Sequence, residues 1–357
     1  MNVLWIPIFS MRSYETGKYS ILKDGNFQLT MARALASDFD HITMVLPDDA
    51  SDYQTFLYQI RNLTKGRFTA LKLKYGANAV ETREQFWDLN RKELTSRIDK
   101  HQQFDLIISD ITGYNIEPFH PVPIIYNFNI TKLPELNRPY IDKFFEADLK
   151  SIEQSLFTTV INPRQRDYIV EVRPDLADKV IAHTKVAHRD LLPEVPRERR
   201  FDFNENTIFW PFRISDKAYL FNEFITAFEQ YGLDSHYNII VTDPNDSLKD
   251  EKPYITKIKP SKEAYYEMLA GRPIVVMLDD IDTVLHPGTI EIFHYGCPMI
   301  TFTSKLIYNA NAIDDFVDLP IALSNIERPV ALPTQKDFVY QNGEVDQYYN
   351  KDFIRER

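Results

Sequence analysis

The chain has 357 residues and a formal net charge of −11, with 44% hydrophobic and 26% charged residues. At roughly 150 residues per domain this length points to two domains, each able to bury its own core. The acid excess speaks against a protein that grips duplex DNA mainly through phosphates, and no run reaches the ~18 apolar residues of a membrane span.

The opening stretch MNVLWIPIFS has neither a basic n-region nor a small-residue cleavage site, and reads as a first β-strand rather than a signal peptide. A single cysteine, Cys297, excludes an internal disulfide and any multi-cysteine zinc site. It fits a reducing compartment, and a cytoplasmic location is the expectation. A long loop, Ser10–Lys23, carries Arg12 and Lys18 and leads to Asp24–Gly25. Phe27, Met31, Ala34 and Leu35 then recur at helical spacing.

Strands are expected at Ile42–Leu46, Phe104–Asp110 and Pro123–Phe128, each a run apolar on both faces, as in a parallel sheet covered by helices on both sides. Between the first two, Arg61–Val80 carries five cations, among them Arg61, Lys65 and Arg67, and no acid. A solvated strand-and-loop face explains it without any function, and a surface for a polyanion is the alternative. RPYIDKFFEADLKSIEQSLF reads as a helix and TTVIN as a strand. Asn162–Pro163 reads as an N-cap with proline at the first helical position.

Around Asp190–Arg200, two prolines and a charge run break the alternation and mark a linker. It resumes with the strand NTIFWPF, a helix from about Asp216 to Tyr231, and the strands YNIIV and YITKI. A helix from Ser261, the strand PIVVML, a helix near Glu291 and the strand PMITF complete it. The expected organisation is a first domain at 1–190, a linker at 191–204, a second domain at 205–328, and a tail at 329–357 that can pack back on the first. The fold class is α/β: two doubly wound, Rossmann-like domains facing across a cleft. Such sheets bind ligands at the carboxyl ends of their strands. Ten glycines are present but no G-x-G, so the dinucleotide fingerprint and the P-loop are both absent, which speaks against a dehydrogenase or an ordinary NTPase.

In IFWPFRISDK an apolar strand ends in Arg213, with Lys217 four residues on. The end of a strand at the mouth of a helix suits a phosphate, because free N–H groups and the helix dipole favour an anion there. Two solvent-facing cations, one paired with Asp216, are the bland alternative. In HPGTIEIFHYGCPMI a loop leads to Glu291, then Gly296 and Pro298. A carboxylate there can accept hydrogen bonds from both hydroxyls of a ribose, although a surface helix glutamate would look the same. A diphosphate anchor and a ribose anchor in one domain suggest a nucleotide-sugar.

These residues resemble the GT-B glycosyltransferases, whose nucleotide-sugar site pairs a strand-end cation motif with a glutamate in E-x-x-x-x-G-x-P, matched here by Glu291, Gly296 and Pro298. Within that fold, Phe212, Arg213 and Lys217 are most similar to the DNA β-glucosyltransferases of T-even bacteriophages, and Tyr126–Pro134 is similar to their first-domain strand-and-loop tract. The resemblance implies a UDP-sugar donor held by Arg213, Lys217, Glu291, His286, Gly288 and Thr289, with no obligatory metal. It implies as acceptor a 5-hydroxymethylpyrimidine in double-stranded phage DNA, extruded from the duplex and held through Arg12, Lys18, Arg61, Lys65, Arg67 and Asn129. No membrane partner is expected.

The departures are specific. The phage enzymes' arginine before the glutamate is Gly288 here, with His286 as the nearest polar substitute. A second motif acid would fall at Thr283. The phage aspartate base would fall beside Ile130, next to Asn129, where no carboxylate stands. An inverting transfer needs a base near the acceptor hydroxyl. Asp110, at a strand end that would aim it into the cleft, is the remaining candidate, and a turn or helix cap would explain it equally. A retaining mechanism, in which the donor phosphate takes the proton, stays open. The alternatives are a GT-B enzyme acting on a surface glycan or small molecule, and a non-catalytic nucleotide-sugar or nucleic-acid binding protein.

Overall fold

The computed structural model describes residues 1–7, 29, 31–32, 35–36, 38–47, 49–50, 52–74, 83–101, 104–111, 116, 119, 122–128, 138–160, 163–182, 194, 205–212, 214, 219–243, 246, 248–249, 252–258, 261–278, 291–292, 294–302, 310–326 and 351–355. The chain divides into two compact units, Met1–Leu191 with Asn342–Arg357, and Leu192–Gln341.

The first unit is built on β1 (Asn2–Ile6), β2 (His41–Leu46), β3 (Phe68–Lys72), β4 (Leu106–Ser109), β5 (Ile124–Phe128), β6 (Phe157–Val160) and β7 (Val180–Ala182). Among the described residues these form one sheet in the order β3-β2-β1-β4-β5-β6-β7. Every pairing is parallel. β4 and β6 are buried along their whole length. This is why the central strands read as unbroken apolar runs: parallel strands are covered on both faces. Each fully buried Ile or Leu contributes about 1.5–3 kcal/mol relative to exposure.

Helices α1 (Tyr53–Leu63), α2 (Arg83–His101), α3 (Arg138–Gln154) and α4 (Pro163–Val172) connect the strands. α1 buries Tyr53, Phe56, Leu57 and Ile60, a stripe at i, i+3, i+4 and i+7. α2 buries Trp87, Asn90, Leu94 and Ile98 on one stripe of its own. Proline opens α4, where its missing N–H costs nothing. At the far end of the chain, Ile354 is buried in the core of this same unit.

The second unit contains β8 (Thr207–Trp210), α5 (Phe221–Gln230), β9 (Asn238–Thr242), β10 (Ile255–Ile258), α6 (Lys262–Ala270), β11 (Ile274–Met277), β12 (Met299–Phe302), β13 (Ala310–Ile313) and α7 (Leu319–Ser324). Its parallel sheet runs β10-β9-β8-β11-β12-β13. Trp210 stacks on Phe224 of α5 at 4.9 Å and meets Phe221 edge-on at 5.3 Å. Its neighbour Phe209 points to the other face, 5.7 Å from Tyr265 of α6. This alternation along one strand ties a helix to each side of the sheet.

The strand order reverses between β1 and β4 in the first sheet and between β8 and β11 in the second. Those switch points are where doubly wound sheets take ligands. The structure differs from the sequence reading in several elements. The short edge strands β7 and β13 were not expected, nor were helices α1, α2 and α7. The helix expected from about Asp216 begins at Phe221, behind Leu220 in the left-handed region (φ 50°).

Candidate functional site

β8 delivers the chain to the second switch point. Past Trp210, the buried ring of Phe212 lies flat on Tyr219, with centroids 4.3 Å apart and planes 8° from parallel. This stacking brings the two ends of the intervening segment together. The chain then enters α5 at Leu220, whose side chain supplies no capping acceptor. The helix thus presents its first N–H groups without the usual Ser, Thr, Asp or Asn oxygen from that position. Arg213 and Lys217 belong to this segment but lie outside the described residues. So do His286, Gly288 and Thr289, and on the first unit Arg12, Lys18 and Asn129.

Glu291 is described and half-buried. It is helical, four residues before Tyr295 and so on the same face of its turn. From the neighbouring α6, Tyr266 donates its Oη hydrogen to Glu291 Oε1 at 2.9 Å, and the Tyr266 ring stacks on that of Tyr295 at 6.0 Å. Burial, and then the Glu291 charge, push the Tyr295 phenol up to about 12. Burial first, followed by the charge and hydrogen bond of Glu291, puts Tyr265 well above the ordinary phenol range. Both rings therefore stay neutral near pH 7, and the carboxylate is flanked by phenols able to donate.

The rest of the motif is structural. Gly296 has φ 68°, the left-handed conformation that glycine adopts freely at a helix end. Cys297 N–H bonds back to Ile292 O at 3.2 Å, closing the helix. The buried Arg272 donates from Nε and Nη2 to Gly296 O at 3.2 and 3.0 Å, satisfying a carbonyl exposed by that turn. Burial lowers the pKa of Arg272 and raises that of the Cys297 thiol. Cys297 is thus an inert core thiol.

On the first unit, Asp110 follows β4 at the switch point, but its side chain does not project outward. It is fully buried. Trp5 Nε1 donates to Oδ2 at 2.9 Å and Asn127 Nδ2 to Oδ1 at 2.6 Å. Thr159 Oγ1 in turn donates to Asn127 Oδ1 at 2.5 Å. The parallel register explains this. Ser109 lies opposite Tyr126 and Asn127 opposite Thr159, so Asp110, Asn127 and Thr159 share one layer across β4, β5 and β6, and Trp5 joins it from β1. The sequence reading aimed Asp110 into the cleft; here its carboxylate accepts from Trp5 and Asn127 within the sheet layer.

Arg61, Lys65 and Arg67 are exposed around the turn that joins α1 to β3. Lys65 and Gly66 have φ 50° and 80°, and Arg67 Nη1 donates to Ala36 O at 3.1 Å. This turn precedes β3 and so sits at the amino end of the sheet, whereas Asp110 sits at the carboxyl end. The structure does not bring the basic turn and the first switch point together. Lys72 and Lys74, at the far end of β3, are on the carboxyl side. Lys72 Nζ lies 5.7 Å from the Tyr53 ring centre.

The sequence reading passed over Trp5, Asn127, Thr159 and Tyr266. Asn127 carried a signal, as a polar residue inside the apolar run IIYNF, because buried polar groups are informative where buried apolar ones are not. Tyr266 carried little, since a tyrosine on a helix is ordinary. Among the described residues no group of three or more His, Cys, Asp or Glu is placed to hold a metal ion, and no helix is long and apolar enough to cross a membrane.

No protein-family model matches the chain, and no curated protein does. Solved structures do match over its whole length. The Anabaena protein Alr3699/HepE in complex with UDP-glucose is 12% identical, with a TM-score of 0.58, covering 100% of this chain and 97% of that one. A glycosyltransferase from Rickettsia africae is 9% identical, with a TM-score of 0.58 and coverage of 99% and 96%. A UDP-N-acetylglucosamine 2-epimerase is 10% identical, with a TM-score of 0.52 and coverage of 98% and 93%. Identities this low establish the shared fold, two Rossmann-like parallel-sheet domains of GT-B type.

Proposed function

We propose that the chain is a glycosyltransferase that takes a sugar from a UDP-sugar and passes it to a hydroxyl acceptor. The observation that carries this reading is Glu291. It is a half-buried carboxylate held by Tyr266, in a fold that matches, over its full length, a protein crystallised with UDP-glucose. In this reading Glu291 accepts hydrogen bonds from the ribose hydroxyls. Arg213 and Lys217, between the end of β8 and the start of α5, receive the diphosphate together with the first N–H groups of that helix. As the glycosidic bond breaks, negative charge builds on the leaving diphosphate, and two cations and a helix dipole stabilise it. His286, Gly288 and Thr289 complete the donor contacts.

The acceptor is a finer matter. The resemblance to the phage enzymes suggests a hydroxymethylpyrimidine in duplex DNA, but Arg213 and Lys217, the cations that carry it, lie outside the described residues. Two observations favour a glycan or small-molecule hydroxyl: the net charge of −11, and the place of Arg61, Lys65 and Arg67 at the amino end of the first sheet. Asp110, buried and holding two donors, is proposed as a structural tie, and the acceptor's base is assigned to another group. One finding favours a second activity on the same donor site: the fold is shared with a UDP-N-acetylglucosamine 2-epimerase.

The test is a melting-temperature screen of UDP and UDP-sugars, since a ligand that binds only the folded state stabilises it. Incubation of the stabilising donor with three acceptor pools follows: hydroxymethylated duplex DNA, oligosaccharides and small alcohols. The expected result is stabilisation by UDP and transfer to a non-DNA hydroxyl. Transfer to the duplex would restore the DNA reading, and 2-epimerisation without transfer would establish the second activity. Failure of UDP and every UDP-sugar to stabilise the protein would overturn the donor assignment.

A further inference from the structure

Glu291 does not stand alone on its helix. Tyr266 comes from α6, a separate connection of the second sheet, and makes two contacts with the same helical turn. Its hydroxyl donates to Glu291 Oε1 at 2.9 Å, and its ring stacks on Tyr295 at 6.0 Å with planes 22° apart. Tyr295 is itself buried and meets His294 edge-on at 5.2 Å, so the platform under Tyr266 is fixed. On its other side, Tyr266 lies 5.5 Å from Tyr265, which packs against Phe209 of β8. An unbroken series of ring contacts thus runs from β8, the strand that ends at the switch point, to the Glu291 carboxylate.

A glutamate side chain has three rotatable bonds, and an unanchored one spends most of its time away from any single geometry. A phenol donor fixed by stacking at hydrogen-bond distance holds one carboxylate oxygen in place and so orients the other. We infer that Tyr266 is a positioning residue for the donor's ribose, holding Glu291 in the orientation that distinguishes a ribonucleotide from a nucleotide lacking the ribose hydroxyls. The inference rests on the UDP-sugar reading above. It adds a specificity determinant that lies twenty-five residues away in sequence and contributes through the carboxylate.

The experiment measures calorimetric affinities of the full chain for two probes, UDP and 2′,3′-dideoxy-UDP, in wild type, Tyr266→Phe, Glu291→Gln and the double variant. Phenylalanine keeps the stacked ring and removes only the donor. The expected result is that wild type prefers UDP. Tyr266→Phe should weaken UDP about three- to tenfold, the scale of one net hydrogen bond, and leave dideoxy-UDP unchanged. The double variant should be no worse than Glu291→Gln alone. As a second variant, 3-fluorotyrosine at position 266 keeps both ring and hydroxyl and makes the hydroxyl a stronger donor, so it should preserve or raise the preference for UDP.

Equal weakening of both probes by Tyr266→Phe would make the contact merely structural and overturn the inference, as would no change in either or a lost preference with fluorotyrosine. If wild type binds UDP but shows no preference over the dideoxy nucleotide, the ribose role of Glu291 fails, and the inference fails with it. If the preference is present but indifferent to Tyr266, only the inference fails.

Discussion

Trp5 and Asp110 lie 105 residues apart in the chain, yet the indole Nε1 of one donates to the carboxylate Oδ2 of the other at 2.9 Å. The bond crosses the first switch point, where β1 and β4 run side by side. It anchors one end of a polar chain that continues through Asn127 to Thr159. Buried polar groups that are fully partnered fix strand register as well as adding stability.

Asp110→Asn separates a tie from a base. The amide would turn an NH2 group toward Trp5 or Asn127, setting donor against donor. The expected cost is about 1–3 kcal/mol of stability, the range for an unsatisfied buried group, read as a lower urea midpoint with an unchanged slope. A base would instead show an activity loss of at least a hundredfold with stability intact.

Glu291→Gln should weaken UDP binding and leave inorganic pyrophosphate untouched, because pyrophosphate has no ribose. Calorimetry with both ligands decides it: parallel losses would assign Glu291 to helix structure.

Arg213→Ala should lower kcat/KM for the donor by about tenfold to a hundredfold, corresponding to ~1.5–3 kcal/mol for a charge-assisted phosphate contact, with an unchanged melting temperature. Wild-type kinetics with every UDP-sugar that stabilises the protein would remove Arg213 from the donor site.

Reversing Arg61, Lys65 and Arg67 to glutamate should leave sugar transfer to a small acceptor within about twofold, as expected for surface changes away from the site. Loss of transfer, or binding of hydroxymethylated duplex that these changes abolish, would make the amino-end turn functional.

The pair Lys252–Glu229 supplies a pH prediction. The hydrogen bond from Lys252, then that from Tyr254 at 2.5 Å, lowers the Glu229 pKa below the ordinary 4.5. A depressed carboxylate stabilises the fold above its unfolded pKa and loses that contribution as pH falls through the folded value. The Glu229 side chain is 41% exposed, so screening limits the effect to about 0.5 kcal/mol. Lys252→Met should cost that much at pH 7, and the difference from wild type should shrink as pH drops below 4.5, measured by urea unfolding across pH.

The central strands were legible from the residues alone. LIIS of β4 and IVVM of β11 are buried at every position, and only a sheet covered on both faces produces such runs. Gly296 stood in the sequence as part of the Glu291 motif, and its left-handed φ is one that few other residues adopt freely. The edge strands β7 and β13 were not, because a strand with one neighbour needs fewer apolar positions and can be three or four residues long. The sites divide along the same line. Glu291 stood out because its motif is local, eight residues from Glu291 to Pro298. The bond from Tyr266 to Glu291, and the capture of Asp110 by Trp5 and Asn127, join residues 25, 105 and 17 positions apart. No periodicity encodes those distances. Helix packing and parallel register bring the groups together, and only the folded chain could show that one carboxylate is held at the edge of a candidate donor site while the other is buried within its sheet.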